Sequence, residues 1–195
     1  KVKRVIICGG GNVCFYLSRQ LLQAGMQVKI IERSEAKCEY LCEQLPKATV
    51  IQGDAADHDL LIEEGIRESD AVVALTGMDE ENIIMSLFAK GQGVDKIIAK
   101  VNEDSRAQMV EGLGIDSIVS VKSAAADEIV NYVRAMNNSY SSANVETSYR
   151  LLGGRVEAME FIIRKECSFT NVPLKDLPTK LNHLIACIGR GRKII

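Results

Sequence analysis

Apolar and polar positions fall into two kinds of block along the first 121 residues. Short runs such as Val5-Ile6-Ile7-Cys8 and Val72-Val73-Ala74-Leu75 have no polar face at all. Runs of that kind belong to strands buried on both sides, as in a parallel sheet covered by helices. The pattern predicts strands over residues 4–8, 27–31, 49–52, 71–75, 96–101 and 117–121. Between them, apolar residues recur at helical spacing. A helix over residues 12–24 is expected to bury Val13, Leu17, Leu21 and Ala24. A second starts at a Ser34 cap, presents Ala36, Tyr40, Leu41 and Leu45, and stops at Pro46. A short third helix follows a cap at Asp57 and closes at Gly65. A fourth, over residues 79–90, carries Ile83, Ile84, Leu87 and Phe88 inward. A fifth follows Asp104 or Ser105 and ends at the Gly112 and Gly114 pair. Strands alternating with helices in this way predict an α/β fold, a Rossmann-type doubly wound parallel sheet.

The rhythm then changes. A long helix over residues 123–137 has Ile129, Val130, Val133 and Met136 on one side, and a polar run over residues 137–144 follows as a linker signal. Beyond it a strand is expected over residues 156–164, a short capped turn between Pro173 and Pro178, and another strand over residues 184–188. A hairpin turn at residues 189–192 leads into a final strand. The expected organisation is a nucleotide-binding domain over residues 1–138, a linker over 139–147, and a second, smaller α+β domain over 148–195. That domain is expected to be truncated, because its last strand has no following partner. The start without Met fits a piece of a longer protein.

Composition narrows the function classes. Apolar residues make up 47% and charged residues 26%, as in ordinary globular chains, and the net charge is -2. Such a balance offers no general attraction for nucleic acid. No apolar run approaches the roughly 20 residues needed to span a bilayer, nor a signal-peptide core, so a cytoplasmic location is expected. Of the six cysteines, Cys38 and Cys42 lie four apart on a predicted helix. Only His58 and His183 could join them as soft ligands, so the cysteines read as packing residues and no metal site is expected.

The candidate chemistry gathers at the first strand-to-helix turn. Gly9-x-Gly11-x-x-Cys14 carries two of the three glycines of a dinucleotide fingerprint, between a buried strand and a helix N-terminus. Unpaired amides and the helix dipole there favour a phosphate. Glu32 ends the second strand, where a carboxylate can accept both ribose hydroxyls and repel a 2′-phosphate; a solvated strand-end Glu is the alternative. Asp54, after Gly53, can accept from an adenine amino group or cap the following turn. Thr76, at the end of the fourth strand, either completes a ring of strand ends around the crevice or serves its own turn. Cys14 stands where a third glycine lets the helix approach the sheet, and a Cys is small enough to fit with a modest shift. Asn12 leaves a terminal triphosphate without a positive clamp from this helix.

No acid–base partner for a nicotinamide emerges from the same pattern. No Tyr is followed four residues later by Lys, no nucleophile–base set is convincingly placed, and His58 reads as solvent-facing. The residues support holding a nucleotide rather than turning one over.

The strings Gly-Gly-Gly-Asn-Val, Ile-Ile-Glu-Arg, Gly-Asp-Ala-Ala-Asp, Ala-Leu-Thr-Gly-Met-Asp-Glu-Glu-Asn and Lys-Val-Asn occur in order over residues 1–138. They resemble the nucleotide-binding regulatory domain of TrkA-type potassium uptake proteins, also called the RCK N-terminal or KTN domain. Residues from about Ser148 onward resemble, more loosely, the start of the RCK C-terminal domain. The wording of the glycine turn resembles the second half of tandem members. The resemblance implies a homo-oligomeric cytoplasmic regulatory subunit, not an enzyme. Such a subunit docks on a potassium-translocating membrane protein and gates it through nucleotide binding. It implies Gly9, Gly11, Asn12 and Val13 at the phosphates and Glu32 at the ribose. It further implies Arg33, Asp54 and Ala55 near the adenine and Thr76 at the end of the fourth strand. Lys100 stands where many members carry Arg. Asn12 replaces the Arg of ATP-responsive members, which favours NAD or NADH over ATP and ADP. The competing reading is an NAD-dependent oxidoreductase fragment that lacks its substrate domain.

Overall fold

Six strands, β1 (Arg4–Cys8), β2 (Gln27–Glu32), β3 (Thr49–Gln52), β4 (Ala71–Ala74), β5 (Lys96–Lys100) and β6 (Ser117–Val119), form one sheet in the order β3-β2-β1-β4-β5-β6. Every neighbouring pair is parallel. The molecule is seen here as a computed structural model that describes residues 2–103, 113–138, 144–151, 156–163, 165–166, 169–177, 184, 186–191 and 193–194. It divides into two compact units, Lys1–Asp127 and Glu128–Ile195. The sheet belongs to the first.

Period-two alternation in the buried strands sorts the core into two layers. Ile6 and Cys8 of β1, with Val72 and Ala74 of β4, face one side, where Leu61, Met85 and Ala89 cover them. Val5, Ile7, Ile30 and Val73 face the other side, against Cys14, Leu41 and Leu45. Helices α1 (Asn12–Gln23) and α2 (Glu35–Gln44) therefore lie on one face, and α3 (His58–Glu63) and α4 (Asp79–Gly91) on the other. This is the doubly wound arrangement expected from the sequence. Each branched side chain taken wholly out of water contributes about 1.5–3 kcal/mol of driving force.

The helix faces match apolar spacing in part: Leu17, Leu21, Leu41, Leu45 and Phe88 pack on the core as expected, but other positions differ. Toward the sheet, α1 buries Cys14 and Ser18, while Val13 is 39% exposed. In α2 the inward residues are Cys38, Leu41 and Leu45, with Ala36 and Tyr40 outside. The inward face of α4 is Asn82, Met85, Ser86 and Ala89, and Ile84 is 57% exposed. In α1 the fully buried positions, Cys14 and Ser18, are small, and Leu17 and Leu21 flank them.

Some boundaries also move. Strand β4 stops at Ala74, β5 at Lys100 and β6 at Val119, and α5 (Val121–Asn138) begins before the expected Ser123. The fifth helix expected from the sequence, after Asp104, lies outside the described residues. Ser34 is the N-cap of α2, but its side chain makes no cap bond; Asp57 does cap α3, accepting from the Asp59 and Leu60 amides.

The second unit is read by itself. Strands β7 (Asn144–Leu151) and β8 (Val156–Ile162) form an antiparallel pair with a register shift between Val145 and Thr147. Strand β7 thus begins inside the stretch expected as a linker. A 3-10 turn, Leu174–Asp176, follows Pro173. Where a strand was expected over residues 184–188, the described residues are not in one. The hairpin pairs β9 (Gly189–Arg190) with β10 (Lys193–Ile194), turning at Gly191 with φ +60°.

Candidate functional site

The turn after β1 is shaped by what its glycines touch. Gly9 has φ +102°, and a Cβ there would lie 2.9 Å from the backbone of Leu75 and Thr76 at the end of β4. Only glycine lets β1 leave the sheet this close to β4. Its amide donates to the Ile31 carbonyl at 2.8 Å, tying the turn to β2 as well. A Cβ on Gly10 would meet Leu41 Cδ1 at 2.8 Å and Glu32 Cβ at 3.0 Å. Gly11 faces open space and is the N-cap of α1, without a side-chain cap bond. Gly10, which is not a fingerprint position, is the glycine pressed against the strand-end carboxylate.

Glu32 is only 7% exposed. Its Oε2 accepts the Gly10 amide at 2.6 Å and its Oε1 the Ser34 amide at 2.8 Å. The carboxylate therefore braces the glycine turn against the start of α2. A buried carboxylate is tolerated here because charged hydrogen bonds replace its lost water.

Thiols pack around this brace. Cys14, at the third fingerprint position, is buried, with its sulfur 3.7 Å from Ser18 Oγ. Burial pushes its pKa up to about 11 and that of Cys8 up to about 12, so both are neutral at pH 7. Cys38 Sγ donates to the Glu32 carbonyl at 3.2 Å, while Cys42 is exposed. No group of side chains able to hold a metal occurs among the described residues.

A cleft of about 230 Å³ opens at the carboxyl ends of the strands. Gly9, Gly11, Glu32, Arg33, Asp54, Ala55 and Thr76 all line it, brought together from β1, β2, β3 and β4. Asn12 and Val13 do not; they sit exposed on the first turn of α1. The cleft adds residues that the sequence reading did not assign: Gly10, Lys37, Gly77 and Glu81. Lys100 lines it too, at the end of β5. Asp54 Oδ1 accepts the Ala56 amide at 2.9 Å, a local turn bond that leaves its other oxygen available. The described lining holds no His, Tyr or Cys. His58 instead stacks on Phe88, with ring centroids 3.9 Å apart, and His183 lies outside the described residues.

Thr76 is held from below. Its amide and hydroxyl both donate to Asn82 Oδ1, at 2.8 and 2.9 Å. Asn82 is fully buried, and its Nδ2 donates to the Lys100 carbonyl at 2.9 Å. One turn earlier, Asp79 Oδ2 accepts the Asn102 and Glu103 amides at 2.9 and 3.0 Å. The first turn of α4 thereby fixes the ends of β4 and β5 together. Periodicity alone gives no sign of this, because the Asn82 side chain reaches back to Thr76 and across to Lys100.

The family model of the TrkA-N domain matches residues 5–121. The Trk system potassium uptake protein TrkA homolog of Archaeoglobus fulgidus is 33% identical over 193 residues, which is 99% of this chain and 42% of that relative. The chain thus spans less than half the length of the curated relatives it matches. Among solved structures, the TrkA-N domain of the inner membrane protein ybaL from Escherichia coli superposes with a TM-score of 0.61. Its identity is 18%, over 68% of this chain and 98% of that one. The GsuK channel bound to NAD superposes with a TM-score of 0.56 at 16% identity, covering 78% of this chain and 26% of that one.

Proposed function

The chain belongs to the TrkA-N domain family, and from that premise we propose that it is a regulatory, nucleotide-sensing part of a potassium uptake system. It binds NAD(H), or a related adenine nucleotide, in the cleft at the carboxyl ends of the strands. One observation carries this reading: a glycine turn braced on a buried strand-end carboxylate opens into a cleft at the carboxyl ends of the strands.

Each part of the cleft has a role. The Gly11 amide and those of the first turn of α1, where Asn12 and Val13 sit, take the pyrophosphate, while Gly9 and Gly10 shape the turn with amides already bonded. Glu32 takes the adenosine ribose through lone pairs that its two backbone bonds leave available. Arg33, Asp54 and Ala55 border the adenine. Thr76 flanks the second half of the ligand. None of these groups transfers a hydride or a proton, so occupancy itself is the signal. Binding shifts the packing between copies of the chain and gates a potassium-translocating membrane partner. No helix among the described residues is long and apolar enough to cross a membrane, so this part meets the bilayer through that partner.

Calorimetric titration with NADH, NAD, ATP and ADP tests the reading. Binding of NADH or NAD, tighter than ATP, is the expected result; no heat with any of the four overturns it. Glu32→Ala is expected to weaken NADH binding by about 1.5–3 kcal/mol, the usual magnitude for a hydrogen bond to a charged group. Sustained NADH oxidation by the intact protein with a hydroxy-acid or carbonyl substrate would favour the oxidoreductase reading instead.

A further inference from the structure

The outer face of α1 and α2 carries three aromatic rings that meet. Phe15 and Tyr16 of α1 pack edge to face with centroids 5.2 Å apart, and Phe15 lies 5.9 Å from Tyr40 of α2. Phe15 leans on the core, but Tyr16 is 56% exposed and Tyr40 52%. The Arg19 guanidinium sits over both α1 rings, 5.8 Å from the Phe15 centroid and 5.4 Å from that of Tyr16. Its side chain is thus held in place while remaining exposed. Exposed tyrosines beside a stacked arginine have the composition of a protein interface centre.

The topology fixes how the charges of this face are arranged. Strands β1 and β2 are parallel neighbours, so the helices returning from them run side by side in the same direction. Contact between Phe15 and Tyr40 puts the two exposed tyrosines at about one height. One turn further on, α1 carries Arg19 and α2 carries Glu43, both exposed. The ion pairs among the described residues are Arg4–Asp70, Lys29–Glu64 and Lys96–Asp116, so neither Arg19 nor Glu43 has a partner among them. The face therefore holds an aromatic centre, a cation on one helix and an anion at matching height on the other. That pattern is complementary to itself. A twofold axis parallel to the helices sets α1 of one copy against α2 of the next, so each Arg19 meets a Glu43 and each Tyr16 a Tyr40.

We infer that the outer face of α1 and α2 is a self-interface, on which a second copy of this chain docks about such an axis. The inference is independent of what fills the cleft, because Tyr16, Arg19, Tyr40 and Glu43 do not line it. Sedimentation velocity over a concentration series tests it on the intact protein, on Arg19→Glu, on Glu43→Arg and on a mixture of the two variants. Each variant alone sets like charges against one another twice. Its self-association is expected to weaken by at least about tenfold, the factor equivalent to 1.4 kcal/mol. In the mixture every introduced charge faces an opposite one on the other variant. Association there is expected to return to within about threefold of the wild type, as coupled sites require. Variants that associate as tightly as the wild type overturn the inference, as does a wild type that stays monomeric throughout the series. Weakened variants whose mixture does not recover also overturn it, and a different partner then covers the face. Both substitutions fall on exposed helix positions, and circular dichroism checks that each variant is folded.

Discussion

Two hollows lie at opposite edges of the same sheet, and the larger one is the less informative. The hollow at the amino ends of β1, β2 and β3 measures about 670 Å³, against about 230 Å³ for the cleft at the carboxyl ends. Within it Lys29 Nζ donates to Glu64 Oε2 at 2.8 Å and to the Glu64 carbonyl at 2.7 Å. At the carboxyl edge, Gly11 borders open space, and Arg33 and Lys37 have no ion pair among the described residues. A binding site is marked by polar groups the fold has left unsatisfied, not by volume.

Substitutions can break or sharpen that contrast. The largest effect is expected at Gly9. Gly9→Ala places a Cβ against the backbone of Leu75 and Thr76 at a left-handed φ, so a loss of roughly 3 kcal/mol or more is expected in urea unfolding. Retained stability would mean that the turn yields easily and does not define the cleft. Asn82→Ala comes next. It strands buried groups of Thr76 and Lys100, and about 2 kcal/mol of destabilisation is expected together with weaker NADH binding. Stability loss with unchanged affinity would separate this wall from ligand binding.

At the amino edge, Lys29→Met is expected to change stability by no more than about 1 kcal/mol, since the pair is partly solvated, and to leave NADH affinity alone. A shift in affinity would erase the distinction between the two edges. The smallest effect concerns pH. The Arg4 and Lys3 amides hold the Asp70 carboxyl below its ordinary value of 3.8. A depressed folded-state pKa stabilises above the unfolded value, and that contribution is lost as pH falls through the lowered range. The urea midpoint should therefore decline below about pH 4, with a shallower decline in Asp70→Asn.

The fold was largely readable because buried parallel strands leave uninterrupted apolar runs, and Pro46, Gly25 and Gly65 mark the turns between elements. The strand-end positions Glu32, Asp54 and Thr76 followed from the same order, since a parallel sheet sends every carboxyl end to one edge. Helix faces were harder. Counting apolar residues favoured Val13 and Ile84, whereas close approach to a sheet selects Cys14, Ser18 and Ser86 by size. Nothing in the local pattern marks Lys37, and only the cleft reveals its place. The clamp at Asn82 leaves no mark in local spacing, because its bond to the Lys100 carbonyl joins α4 to the end of β5.

The first turn of α4 has a thermodynamic consequence for any ligand that reaches Thr76. Asn82 and Asp79 already immobilise the ends of β4 and β5 and the backbone just beyond them. Little conformational entropy remains to be lost there when the cleft fills, so that wall is preorganised. Ordering on binding falls instead to the exposed side chains of the opposite wall. Ligand discrimination at that wall is the more sensitive to temperature and salt.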